Sequence, residues 1–297
     1  MTRATRGTPA GRAYLALRAL ARRDGRPTDE VLVLFVLERF LYRLSLSAYR
    51  ERLVLKGGML LAALGERRPT RDVDLLARAT DNDVDTAAAL VRDVLAVEVD
   101  DGIVFDPAGL TARVIRSDER YAGVRIVVPA RLDRARCPLR VDVSVGDPVT
   151  PAPVEIDFPA LLAEPFRVVA YPIETVLAEK IVTMIDRGDA TTRERDFADV
   201  VLLTRRPAIT AGPLAAAIAA TASHRGSGLR PLREVLVSLG ALRQGEWSRF
   251  VRRLDLGPDL PATYEEAIAI VAEFADPVVT GAVTSGRWDP VQRKWQR

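Results

Sequence analysis

Two short stretches decide the fold: Leu53-Val54-Leu55-Lys56-Gly57-Gly58-Met59-Leu60-Leu61 and, a few residues on, Thr70-Arg71-Asp72-Val73-Asp74-Leu75-Leu76. The first reads as a short buried strand ending at Lys56, a turn at two glycines, and a helix from Met59 to about Leu64. The second alternates polar and apolar residues from Asp72 to Leu76 and predicts another strand. Residues two apart on a strand share a face, so Asp72 and Asp74 present their carboxylates together while Val73 and Leu75 point into the core. Glycines at 57 and 58 let the backbone approach a phosphate, and the helix that follows adds the positive end of its dipole. Two adjacent carboxylates repel unless a cation lies between them, and Mg²⁺ is the usual one. The plain reading of the same residues is a tight turn before an exposed strand edge.

A third acid has the same parity. In Leu139-Arg140-Val141-Asp142-Val143-Ser144-Val145 the apolar residues alternate with Arg140, Asp142 and Ser144, which share one face. If this strand lies beside the Asp72/Asp74 strand, Asp142 becomes a third metal ligand and a candidate general base for an incoming hydroxyl. Otherwise it belongs to the polar outer face of an antiparallel strand.

Outward from this centre, Tyr14–Ala21 and Glu30–Arg43 show helical spacing, the second with Thr28 or Asp29 as its N-cap. Asp81–Leu95 predicts a helix, and strands follow near Val97–Val99, Leu110–Ile115, Val124–Val128, Arg140–Val145 and Val154–Ile156. From Pro172 the pattern turns helical: Ile173–Arg187, Arg193–Leu203, Gly212–Ala222, Pro231–Leu239, Glu246–Arg253 and Tyr264–Phe274. The expected fold is therefore α/β (α+β): a mixed or antiparallel sheet flanked by helices over residues 1–165, then a helical domain over 166–297. The last twenty residues lack periodicity and read as an extended or partly disordered arm.

The helical half carries its own cluster, Glu174-Thr175-Val176-Leu177-Ala178-Glu179-Lys180 followed by Arg193-Glu194-Arg195-Asp196-Phe197-Ala198-Asp199. Lys180, Met184 and Arg187 fall on one helical stripe. Lys180 is a candidate to bind a triphosphate; Asp196 is placed to pair with Lys180 or Arg195, or to orient an acceptor. Ion pairs on solvated helices are the plain reading of these residues.

Composition narrows the chemistry. The single cysteine, Cys137, excludes disulfides within the chain and thiolate zinc sites. The single histidine, His224, excludes a His-rich zinc site and leaves a Ser-His-Asp triad little support. Carboxylates, hydroxyls, Lys and Arg remain, a set suited to oxygen-ligand metals and phosphates. Of 43 basic residues only Lys56, Lys180 and Lys294 are lysine, and Lys56 abuts the glycine turn. Net charge is +3, but Arg3, Arg6, Arg12, Arg18, Arg22, Arg23 and Arg26 crowd the first 26 residues, and Arg287, Arg293, Lys294 and Arg297 the tail. Such local basic surface suits a polyanion such as RNA. No apolar run approaches the ~20 residues that span a bilayer, and no secretion signal is present, so a cytoplasmic protein without membrane partners is expected.

Taken together, these residues resemble the AbiEii-type, MenT-like toxins of the DNA polymerase β-like nucleotidyltransferase superfamily. The first motif of that family is matched by Lys56-Gly57-Gly58-Met59 through Arg68-Pro69-Thr70-Arg71-Asp72-Val73-Asp74-Leu75, and the helical motif by Glu174, Ala178, Glu179, Lys180, Arg187, Arg195, Asp196 and Asp199. The likeness covers about residues 50–205. It implies an NTP-dependent, pyrophosphate-releasing enzyme, the toxin of a type IV-like toxin–antitoxin or phage-defence pair, with its antitoxin encoded nearby. Some relatives add nucleotides to the tRNA 3′ end and so block translation. The implied metal ligands for Mg²⁺ or Mn²⁺ are Asp72, Asp74 and Asp142. Lys180 and Asp196 join them as catalytic residues, and Lys56, Gly57, Gly58, Arg71, Lys180 and Arg187 are the nucleotide-binding set. Thr70 stands where some relatives carry a phosphorylated Ser, and Met59 where many have a hydroxyl residue. The other readings are transfer to a small molecule or protein hydroxyl, and a non-catalytic nucleic-acid-binding regulator.

Overall fold

The computed structural model describes residues 7–65, 69–81, 83–115, 123–206, 209–254 and 256–296, so Arg3, Arg6, Arg68 and Arg297 lie outside the described residues. Backbone contacts divide the chain into one unit of Met1–Gly146 with Val154–Ala170, and a second of Asp147–Pro153 with Tyr171–Arg297.

The first unit opens with helices α1 (Pro9–Arg23) and α2 (Thr28–Leu46). Thr8 caps α1 by accepting from the Gly11 amide, with Pro9 at the position where a missing N–H costs nothing. The N-cap of α2 is Pro27 instead of Thr28 or Asp29; Asp29 and Glu30 instead sit in its first turn, where their charge favours the helix dipole. Next come β1 (Leu53–Lys56), α3 (Gly57–Ala63), β2 (Val73–Ala77), α4 (Val84–Leu95), β3 (Ile103–Phe105), β4 (Thr111–Ile115) and β5 (Gly123–Val128). The unit is completed by β6 (Ala130–Leu132), β7 (Ala135–Arg136), β8 (Leu139–Val145), β9 (Val154–Phe158) and β10 (Phe166–Ala170).

Seven strands form a mixed sheet in the order β4-β5-β8-β2-β1-β10-β9, and β3, β6 and β7 form a separate small one. In the large sheet β2 runs parallel to β8 and β1 parallel to β10; the other neighbours are antiparallel. Leu53, Val54 and Leu55 of β1 are all buried, the continuous apolar run of a central strand covered on both faces. Helix α2 packs against β8 and β10, and α4 against β4 and β5.

Two expectations change in this unit. No strand forms at Val97–Val99. That segment is tied to α2 by Arg43, which donates to the Val99 carbonyl and pairs with Asp101, and the chain enters a strand only at Ile103. Phe166–Ala170, placed by the sequence reading with the helical half, instead forms β10 alongside β1.

The second unit holds α5 (Ile173–Arg187), α6 (Glu194–Leu203), α7 (Ala211–Arg225), α8 (Leu232–Val235), α9 (Leu239–Leu242), α10 (Gln244–Leu254) and α11 (Tyr264–Val279). The single helix expected over Pro231–Leu239 is two short ones. Asp276 accepts from the Leu232 amide at 2.6 Å and Asp189 from the Leu239 amide at 3.0 Å, so each carboxylate starts its own turn. The tail is a hairpin, β11 (Arg287–Asp289) with β12 (Lys294–Gln296), and not a simple extended arm. Trp288 fastens it: the indole is buried against Phe274 and donates to the Thr204 carbonyl at 2.8 Å. Among the described residues no helix is long and apolar enough to cross a membrane.

Candidate active site

Because β2 and β8 are parallel neighbours, Asp74 stands opposite Asp142, while on the other side Lys56 of β1 stands opposite Asp74. Val73, Leu75, Val141 and Val143, on the opposite face, are almost wholly buried. That burial fixes the register, since a slip of one residue would drive the acids into the core. Asp72 lies just before β2 with a side chain about a third exposed, and Asp142 is buried.

The glycines do a job that the sequence reading did not assign. Gly57 has φ +68°, and a Cβ there would overlap the Asp74 carboxylate. A Cβ on Gly58 would lie 2.6 Å from Thr70 Oγ1. The two bare positions thus leave room for Asp74 and Thr70. Thr70 is buried, and its hydroxyl lies 3.3 Å from both the carbonyl and the carboxylate of Asp72, to which it donates. Met59 is buried in the core and Arg71 is exposed.

Arg125 is the residue that sequence reasoning missed. It lies on β5 opposite Asp142 and grips both carboxylate oxygens, Nε to Oδ1 at 2.7 Å and Nη2 to Oδ2 at 2.6 Å. The same Nη2 is 3.7 Å from Asp72 Oδ2. Hydrogen bonds to Asp142, then the charges of Asp142, Asp72 and Asp74, outweigh partial burial and hold the guanidinium above its ordinary pKa. A faint signal existed: Val124, Ile126 and Val128 are buried, so strand parity turns Arg125 to the opposite face. Which acid it would meet depended on strand order.

The donor set of Asp72, Asp74 and Asp142 is all carboxylate oxygen, the chemistry of a hard divalent cation. Among the described residues, however, no three His, Cys, Asp or Glu side chains gather into a metal-binding group. Arg125 instead takes both oxygens of Asp142. Asp142 is where strand parity put it, but as the side chains stand it is the partner of an arginine. Mg²⁺ is often held by one or two carboxylates plus substrate phosphates, so Asp72 and Asp74 fit such an ion by themselves.

In the second unit, Lys180 of α5 is clamped between two acids of α6, with Nζ 2.8 Å from Asp196 Oδ1 and 2.6 Å from Asp199 Oδ2. Arg193 takes the other oxygen of Asp196 at 2.5 Å, while Arg195 points outward. Burial alone would lower the Lys180 pKa, but Asp199 and Asp196 hold it above the ordinary lysine value. Burial would likewise raise Asp196, yet Lys180 and Arg193 hold it well below the usual carboxylate range. Lys180 is therefore not presented as an open triphosphate ligand. The expected stripe also divides, with Met184 in the core and Arg187 exposed. Burial raises the Cys137 thiol, which suits an inert core residue.

A mixed sheet with Asp72 and Asp74 at the start of a strand behind a glycine turn, and a third acid on the adjoining parallel strand, accompanies a family match that makes this chain a nucleotidyltransferase. The profile described as "Nucleotidyl transferase AbiEii toxin, Type IV TA system" matches residues 39–270, and the chain belongs to that family of toxin–antitoxin nucleotidyltransferases. No curated protein matches the chain. Among solved structures, a candidate nucleotidyltransferase from H. pylori is 16% identical, with a TM-score of 0.48 over 84% of this chain and 95% of that one. JHP933 from Helicobacter pylori is 14% identical, with a TM-score of 0.46 over 82% of this chain and 90% of that one.

Proposed function

We propose that this toxin transfers a nucleotide from an NTP to an RNA 3′ end, tRNA foremost, in the cytoplasm, and so blocks translation until its antitoxin intervenes. The observation that carries the reading is the register of β2 and β8, which places Asp74 opposite Asp142 on a face whose reverse side is locked in the core. Asp72 and Asp74 would hold Mg²⁺ or Mn²⁺. When bound, such an ion offsets phosphate charge and makes an attacking hydroxyl more acidic.

The chain's own groups do the rest. Gly57 keeps Asp74 in place by yielding its side-chain space, and the Thr70 hydroxyl steadies Asp72. Arg71, exposed beside Asp72, and Lys56, opposite Asp74, supply positive charge for the phosphates. With Met59 in the core, no hydroxyl follows the glycines, and backbone amides are left to meet a phosphate there. Lys180 and Asp196 act as positioning residues that hold α5 to α6, with Arg187 exposed at the end of α5 for the nucleotide or RNA. Arg12, Arg18, Arg22 and Arg23 on α1 add basic surface suited to RNA. Thr70 regulation by phosphorylation would require its buried hydroxyl to leave its contact with Asp72.

The test is incubation with labelled NTPs, Mg²⁺ and total tRNA. Label is expected in the tRNA band with wild type and not with Asp72→Ala. No incorporation by wild type, or undiminished incorporation by Asp72→Ala, overturns the proposal; label migrating with protein overturns its choice of acceptor.

A further inference from the structure

Arg125 and a divalent cation would compete for the same carboxylates. Nη2 lies 2.6 Å from Asp142 Oδ2 and 3.7 Å from Asp72 Oδ2, so one nitrogen is close to both acids. A cation shared by those acids would draw on the same carboxylate oxygens that this nitrogen faces. The two positive groups would also repel across a few ångströms of partly dry protein.

We propose that Arg125 is a tethered counter-cation for Asp142 which a divalent ion must displace, so that Arg125 sets the metal affinity of the site. Asp142 becomes a ligand only when Arg125 has turned away. The inference rests on the reading that Asp72 and Asp74 hold the metal.

Exposure supports an exchange in that direction. The Arg125 side chain is 31% exposed and has water to turn into, whereas the Asp142 side chain is 10% exposed. A carboxylate that buried cannot be left bare, so loss of the arginine has to be matched by arrival of another cation. The bidentate grip means that Asp142 is neutralised by a side chain of the protein itself.

The test measures Mn²⁺ binding to the full chain without NTP, following free Mn²⁺ by electron paramagnetic resonance. Arg125→Met is expected to bind Mn²⁺ at least about tenfold tighter than wild type, since it removes the competing charge. In the double variant Arg125→Met/Asp142→Asn that gain should vanish, because the freed ligand is gone. Equal affinity in wild type and Arg125→Met overturns the proposal. So does a gain that persists in the double variant, which would make Arg125 a distant charge instead of a competitor for Asp142. Where Arg125→Met fails to fold, Arg125→Lys carries the test: it keeps the charge but loses the fork, and must also bind Mn²⁺ more tightly than wild type. The two readings fail separately. Unchanged metal affinity with normal, Asp72-dependent nucleotide incorporation removes only the role of Arg125; no Mn²⁺ binding and no incorporation removes both.

Discussion

Gly57 and Asp74 share one volume: the Asp74 carboxylate occupies the space that a Cβ on Gly57 would need, and Gly57 holds φ at +68°. A side chain at 57 therefore meets two penalties, left-handed backbone strain of about 1–2 kcal/mol and a displaced carboxylate. Gly57→Ala is expected to lower the denaturant midpoint modestly and to cut nucleotide incorporation far more than that loss of stability explains. Urea unfolding alongside the incorporation assay checks this. A Gly57→Ala chain that is as active as wild type would show that Asp74 is not held by this contact.

Lys180 should behave as a structural cation. Lys180→Met leaves Asp196 and Asp199, both nearly fully buried, without their shared partner. Removing one member of a buried ionic group costs about 3–5 kcal/mol. Arg71→Ala, at an exposed position, is expected to change stability by less than about 0.5 kcal/mol. Chemical denaturation of the two variants separates them, and equal stabilities would mean that the clamp contributes nothing.

The same network predicts the acid limb of the stability curve. Asp196 has a folded pKa below its ordinary 3.8, so its contribution is fully present above 3.8 and is lost as pH falls through the lower, folded value. Lys180 has the opposite sign: its folded pKa is raised, so its contribution is present below 10.5 and is lost as pH rises through the folded value. Unfolding free energy measured from neutral pH down through the carboxylate range should fall steeply in wild type and less steeply in Asp196→Asn. Parallel curves would show that Asp196 is not linked to folding.

Trp288 makes the tail part of the second unit's core. Its ring is buried against Phe274 and Trp295, and its N–H reaches Thr204. Trp288→Ala is expected to destabilise by about 3–5 kcal/mol, the range for a large buried aromatic. Arg293→Ala, which loses only a partly exposed pair with Glu273, should cost less than about 1 kcal/mol. Thermal melting checks the contrast, and an unshifted melt for Trp288→Ala would mean that the hairpin is dispensable.

The strand, turn and helix at Leu53–Leu64, the strand carrying Asp74, the shared parity of Asp74 and Asp142, and most of the helices from Ile173 onward were legible from the chain. They rest on the spacing of apolar residues, a local property: period two exposes every second residue of a strand, and the helical period builds an apolar stripe. The spacing of the glycine and acid motifs likewise carried the family. What spacing does not encode is which elements become neighbours. Only tertiary pairing put β5 beside β8, and with it Arg125 onto Asp142. Only packing of α5 against α6 made Lys180 a buried cation shared by Asp196 and Asp199. The strand at Phe166 and the hairpin around Trp288 took shape from the partners they found, β1 and Phe274. The sequence by itself determined which residues share a face and therefore the class of chemistry. The tertiary structure decided which charges meet, because electrostatic partners lie far apart along the chain and are joined only by the order of strands and helices.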